Sequence, residues 1–210
     1  MNQSIPISLY IVLGLNLVLS WLNARTCGRA WVEARALGGS IRVLVWCGAA
    51  QSAIGFSSVF LFPLIFAANA LFPGYFTAAD LNGMVSLWYV SIVFPALGTG
   101  LIITIESWIR AYRERSLSSM GIAAYNTFAQ IHNTMGAIGN LSSAFQSAGK
   151  TLGAVLTSRG DARGKVALLA VAVVLVALCA GIIVTWALIH RYAGTLPLPT
   201  APTGARPQHA

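Results

Sequence analysis

Charge is what this sequence has least of. Of its 210 residues 9% are charged and 57% hydrophobic, with a mean hydropathy of +0.74. A water-soluble domain carries about a quarter charged residues. A globule of this composition could not cover its surface with ions, so lipid is the expected solvent for much of the chain. Cysteine is scarce too. Cys27, Cys47 and Cys179 are odd in number and show no CxxC spacing, so no disulfide framework or thiolate metal site follows from them. The first residues, MNQSIPISLY, lack the basic stretch of a secretory signal, so the first apolar run is expected to be a retained span.

Catalytic groups are equally sparse. Histidines stand only at His132, His190 and His209, and the acids Glu33, Asp80, Glu106, Glu114 and Asp161 include no pair inside an apolar segment. Charged residues retained within spans are the usual mark of ion-coupled transport. No phosphate-cradling glycine loop, nucleophile elbow or metalloprotease helix appears. The expectation is a non-enzyme without cofactor or metal. The formal charge of +8 is read as the Lys/Arg excess that orients membrane proteins, and no nucleic-acid partner is expected.

What is present is a set of long apolar runs, and a hydrocarbon core needs roughly 20 helical residues to cross. Residues 5–22, 41–72, 84–105 and 166–189 are the expected spans. The second is read as one helix kinked at Pro63, because a split there would leave a reversal without polar turn residues. Asn23 to Ser40 reads as a short basic helix ending at Gly38-Gly39, and Phe72 to Phe76 as a turn. Residues 193–210 form a proline-rich tail expected to be disordered, leaving 1–192 as a single membrane domain. Small or amide side chains let helix backbones approach in lipid. On that ground Asn16, Gly48, Ser52, Gly55, Gly98 and Gly100 are the candidate packing positions. Glu106 is expected to pair with Arg110, four residues on.

Arginine and lysine concentrate in residues 23–40 and 110–164, so the positive-inside rule makes both segments cytoplasmic and sends both termini outward. Trp21, Trp46 and Trp108 then mark the inner boundary, and Tyr75, Trp88, Tyr89, Trp186 and Tyr192 the outer one. A bacterial-type cytoplasmic membrane is the expected location.

The most distinctive stretch lies between the third and fourth spans. From Ser116 to Gly149 there is no formal charge, yet the run is not apolar enough to read as a span. Phe128, Ile131, Met135, Ile138, Phe145, Leu152 and Leu156 recur at helical spacing, between amides, hydroxyls and glycines. The expectation is a cytoplasmic amphipathic helix that uses this stripe to pack under the spans, to dock other subunits, or to insert into lipid-packing defects. Within it, Ala124 to Gln130 with Asn133 resembles the segment after the last span in TolQ-type subunits of ion-driven envelope motors. The order of elements differs, since Arg110 to Ser119 precedes the segment and a further span follows, and no residue role is carried across.

The fold expected is therefore all-α, a polytopic membrane protein with four transmembrane helices and a cytoplasmic amphipathic segment between the third and fourth. The function expected is a non-catalytic subunit or assembly factor of a larger membrane complex, of the secretion, conjugation or membrane-containing virus type. Its partners would be the bilayer and other membrane subunits, or further copies of itself. One alternative is a small homo-oligomeric pore or transporter with Asn16, Gln51, Ser52, Ser58, Thr99 and Thr104 facing water. A further alternative is a membrane enzyme with part of a site at His132, Glu106 and Glu114.

Overall fold

The computed structural model describes residues 7–37, 39–157 and 161–193. They form five helices in chain order: α1 Ile7–Leu37, α2 Gly39–Leu71, α3 Ala78–Glu114, α4 Leu117–Thr157 and α5 Ala162–Tyr192. Four of them, α1, α2, α3 and α5, are long and apolar enough to cross a membrane. The regular structure among the described residues is thus all helical and compatible with a multi-pass membrane protein. The expected proline-rich tail, from residue 194 onward, lies outside the described residues.

The helix ends follow local chemistry. Gly39 has a φ of 59°, a left-handed conformation at the reversal between α1 and α2. The first span and the basic stretch behind it are one continuous helix, not two, because nothing between Leu22 and Arg35 breaks the backbone ladder. Pro63 lies inside an unbroken α2, as expected of a single helix. Gly74, with a φ of 77°, turns the chain toward α3. There Thr77 caps the helix with its side chain on Asp80 N, and Asp80 Oδ2 returns a bond to Thr77 N at 2.8 Å. Arg115, at φ 49° and ψ 33°, closes α3 with its N–H on Ala111 O, and Ser116 Oγ accepts from Ser119 N at 3.1 Å to open α4. Arg110 Nε pairs with Glu114 Oε1 at 2.5 Å, four residues toward the C-terminus and not with Glu106 as expected.

Helices α1, α3 and α5 each run antiparallel to α2. Asn16 of α1 meets Ser58 of α2, and Cys27 meets Gly48. Gln51 of α2 meets Ala96 and Thr99 of α3, and Trp88 meets Ser57. Ser52 of α2 meets Thr185 of α5, and Gly181 meets Ala53 and Ser57. One apolar core, with Leu61, Ile65, Met84, Leu87, Val173 and Val174, lies among α2, α3 and α5; a second, with Trp31, Val45 and Ile189, lies among α1, α2 and α5.

Two expectations need correction. The segment 110–164 does not lie off the end of the spans. Its first residues complete α3, and α4 then runs back along α3, so that Thr127 stands by Trp108, Gln130 by Leu97 and Ser147 by Asn82. The start of α1 and the end of α5 do not share one end of the bundle either. Tyr192 stacks edge-on against Trp21 at 6.4 Å and Trp186 against Trp31 at 5.5 Å, so the end of α5 joins the α1–α2 reversal. The start of α1 lies at the opposite end. Trp186 and Tyr192 therefore belong to the same aromatic band as Trp21 and Trp46. The physical reason is the added antiparallel pass of α4, which inverts the direction of α5.

A Cβ at Gly181 would meet the α2 backbone at Ser57 N, 2.8 Å away, and at Ala53 O, whereas one at Gly136 of α4 would meet nothing within 4 Å. Overpacking against backbone costs about 1–3 kcal/mol, while glycine costs a helix interior about 1 kcal/mol relative to alanine. Gly181→Ala is expected to lower the thermal midpoint in mild detergent and Gly136→Ala to leave it unchanged or raise it. Equal effects would contradict this packing.

Candidate functional site

The part of the chain that composition singled out, α4, has three faces with different surroundings. Ser119, Ala123, Ala137, Ala144 and Ala148 are buried against the rest of the bundle. Small side chains bring the α3 and α4 backbones close enough for polar groups to reach across. Trp108 Nε1 donates to Thr127 Oγ1 at 2.8 Å, Gln130 Nε2 to Leu97 O at 3.0 Å, and Asn82 Nδ2 to Ser147 Oγ at 3.3 Å. Gly100 and Gly83 leave room for Gln130 and Thr151 respectively. The polar face of α4 is thus in part an internal one.

The apolar stripe points the other way. Phe128 is 71% exposed, Met135 69% and Ile138 70%, and Ile131, Phe145, Leu152 and Leu156 are exposed with them. Of the three uses expected of the stripe, packing within the chain is therefore not the one it serves among the described residues. Periodicity locates a stripe without saying which solvent it meets, and here small residues make the contact.

The third face carries His132, Asn133, Gly136, Asn140 and Ser143. With Gln51 of α2 and Tyr89 of α3 it borders a cleft of about 370 Å³ whose floor includes Val93, Ala96 and Ala137. No contact between α2 and α4 closes this cleft among the described residues. Asn140 Nδ2 donates to Gly136 O at 2.9 Å, while His132 stacks on Phe128 with ring centres 6.4 Å apart. Asn133 is exposed and has no hydrogen-bond partner among the described residues. Gly136 and Gly139, like Gly121, Gly149 and Gly153, have nothing within 4 Å of a built Cβ, unlike Gly83 and Gly100 of α3.

Two further clefts lie along α4. One of about 250 Å³ is bordered by Glu106, Arg110, Glu114, Ser118 and Asn126. The other, about 370 Å³, lies where α3 begins, α4 ends and α5 begins, among Asp80, Asn82, Ser147, Lys150 and Arg163. Glu106 and Glu114 share one cleft and His132 borders another, so these three do not meet. Among the described residues no three His, Cys, Asp or Glu side chains come together in a metal-binding group.

The other predicted positions divide clearly. Asn16 Nδ2 donates to Ser58 Oγ at 3.3 Å. Ser52, fully buried, donates to Ser20 O at 2.8 Å. Gly48 receives Cys27 Sγ and Gly55 receives Ser20, and Gly100 receives Gln130. Gly98 has nothing within 4 Å, and is not a packing glycine. Gln51 Nε2 donates to Ala96 O at 2.8 Å and Thr99 Oγ1 at 2.6 Å, and Thr104 Oγ1 to Gly100 O at 2.9 Å. Asn16, Ser52, Ser58, Thr99 and Thr104 thus serve different helix contacts and share no water-facing surface. Sequence reasoning missed Gly28, packed on Ile189 and Tyr192, and Gly181. The latter sits in the small triplet Cys179-Ala180-Gly181, the break in a Val/Leu run that could have marked it.

No protein-family model, curated protein or solved structure shows significant similarity to the chain.

Replacing Phe128 and Ile131 together by Ser is expected to leave the α3–α4 pair intact, since neither side chain is buried in it. Ala137→Leu with Ala144→Leu should open it, each overpacked position costing about 1–3 kcal/mol. Protease resistance of residues 117–157 in detergent checks both. Cleavage of the serine variant alone would restore the stripe as the packing face.

Proposed function

We propose that the protein is a non-catalytic integral membrane subunit whose α4 crosses the bilayer beside α3 and docks a further transmembrane helix. The observation that carries this reading is the uncovered amide and glycine face of α4. It lies alongside the residues of α3 that form the expected third span, 84–105. Hydrocarbon offers no hydrogen bonds, so an amide left against acyl chains costs several kcal/mol. Exposed glycines on a transmembrane helix let a partner backbone approach. The stripe from Phe128 to Leu156 then faces lipid. The absence of formal charge from Ser116 to Gly149 suits a crossing of the hydrocarbon core.

Orientation follows from charge. Arg25, Arg29, Arg35, Arg42, Arg110, Arg113, Arg115 and Arg191 belong to the end of the bundle holding the α1–α2 and α3–α4 reversals. Lys150, Arg163 and Lys165 belong to the other. By the positive-inside rule the first end is cytoplasmic. The start of α1 then faces outward and the end of α5 inward, in a cytoplasmic membrane of the bacterial type. The second reading, a homo-oligomeric pore or transporter, is favoured by the cleft beside Gln51, Tyr89 and Asn133, which would become its wet lining.

The test is the mass of the native particle after extraction in mild detergent, with its co-purifying proteins identified. A large particle with reproducible partners is expected, and Asn133→Leu with Asn140→Leu should release them without lowering the thermal midpoint. A clean homo-oligomer would favour the pore, and a monomer would overturn the subunit reading. Orientation is read separately, in a background lacking Cys27, Cys47 and Cys179. Ala193→Cys should label only from the cytoplasmic side and Leu156→Cys only from outside; cytoplasmic labelling of Leu156→Cys with outside labelling of Ala193→Cys would overturn the crossing by α4.

A further inference from the structure

We infer that the cleft where α3 begins, α4 ends and α5 begins is a binding site for a phosphate anion, such as the phosphodiester of an anionic lipid headgroup. The cleft holds about 370 Å³, within the range of small-ligand pockets. Lys150 enters its lining from α4 and Arg163 from α5. Neither forms an ion pair with any described residue. The one carboxylate in the lining, Asp80, is held by its own helix start, where its Oδ2 accepts from Thr77 N at 2.8 Å and from Thr77 Oγ1 at 2.6 Å. The two cations therefore face a common space in which, among the described residues, neither is paired with a carboxylate.

Neutral donors complete the set. Ser147 Oγ accepts from Asn82 Nδ2 at 3.3 Å, which leaves the Ser147 hydroxyl proton free to donate into the cleft. Gln146 lines it without a hydrogen-bond partner among the described residues. A planar guanidinium and an ammonium with hydroxyl and amide donors suit tetrahedral oxyanions, since charge-assisted bonds are the strong ones and arginine matches phosphate geometry. Position supports the same ligand class. The lining also includes Ala167 and Ala170, at the start of the uncharged run of α5. Cations and alanines in one lining match a headgroup with its chains. The site also accounts for a local excess of positive charge at the end of the bundle that carries less of it. It lies wholly within one chain and stands apart from the subunit reading.

The full chain, purified in mild detergent, is titrated with phosphatidylglycerol and with phosphatidylcholine, and bound lipid is counted by native mass spectrometry. Phosphatidylglycerol should bind saturably and phosphatidylcholine weakly. Lys150→Gln with Arg163→Gln should weaken phosphatidylglycerol binding by about tenfold or more, in line with the loss of charge-assisted contacts. Ala154→Phe, which fills the cleft and keeps both charges, should weaken it comparably. Arg110→Gln with Arg113→Gln, at the far end of the bundle, should not. Competition by inorganic phosphate would show that the anion alone suffices; phosphatidylglycerol binding that resists phosphate would show that the lipid anchor is needed. Either result supports the site. Absence of phosphatidylglycerol and phosphate binding, unchanged affinity in the Lys150/Arg163 variant, or equal loss in the Arg110/Arg113 variant would overturn it.

Discussion

The reversal at Arg115 and Ser116 is the constraint on which the rest of the arrangement depends. A left-handed residue closes α3 and a serine hydroxyl caps α4, so the chain turns back within the space of two residues. So short a connection suits an antiparallel helical hairpin, which is what α3 and α4 form. Once α4 is committed to the flank of α3, its direction sets that of α5, and α5 in turn brings Trp186 and Tyr192 to α1. A longer linker would have allowed α4 to lie across the end of the bundle.

Much of the interior that results is built of small residues. Ala24, Ala123, Ala170, Ala177, Ser52 and Ser57 are buried beside Leu61, Met84 and Ile189, while many other leucines, isoleucines and phenylalanines stand outside. In water that distribution would forfeit the hydrophobic driving force. Among acyl chains nothing is gained by hiding a leucine, and association falls to close backbone contact and interhelical hydrogen bonds. The bonds of Gln51, Ser52, Trp88, Trp108 and Gln130 are of this kind, each reaching a carbonyl or hydroxyl on a neighbouring helix. They bind α2 to α1, α3 and α5, and α3 to α4, whereas α4 and α2 are left apart.

Four helices were legible from length and apolarity, and the turns near Gly39 and Gly74 from glycine chemistry. The course of α4 was not. Its stripe was plain, but a stripe marks a difference between faces, and the sign depends on whether water or hydrocarbon lies outside. Its mean apolarity is low because alanine, serine and glycine do the packing, and a search for apolar runs passes over such a helix. That omission carried a second one. Lys150, Arg163 and Lys165 read in the sequence as one basic loop with Arg110 to Arg115, whereas the course of α4 sets them at the opposite end of the bundle and brings the end of α5, at Tyr192, beside Trp21. Of the packing positions, Ser52, Gly48, Gly55 and Gly100 were readable because small residues recur around them. Gly98 has the same neighbours yet faces open space, a distinction that only the rotation of α3 makes.

The bonds between α3 and α4 also bear on the order of events during synthesis. In the five-crossing arrangement α3 emerges from the ribosome first and is apolar enough to partition on its own, whereas α4 carries Asn126, Gln130, Asn133 and Asn140 into the same depth. Leu97 O and the indole of Trp108 are already in place to receive Gln130 and Thr127. The earlier helix then acts as a template for the later one, and α4 enters the bilayer as the second arm of a hairpin instead of as an independent span. Nascent chains cut before Thr127 would lack both of these bonds, so commitment of α4 waits until Gln130 has emerged and precedes α5.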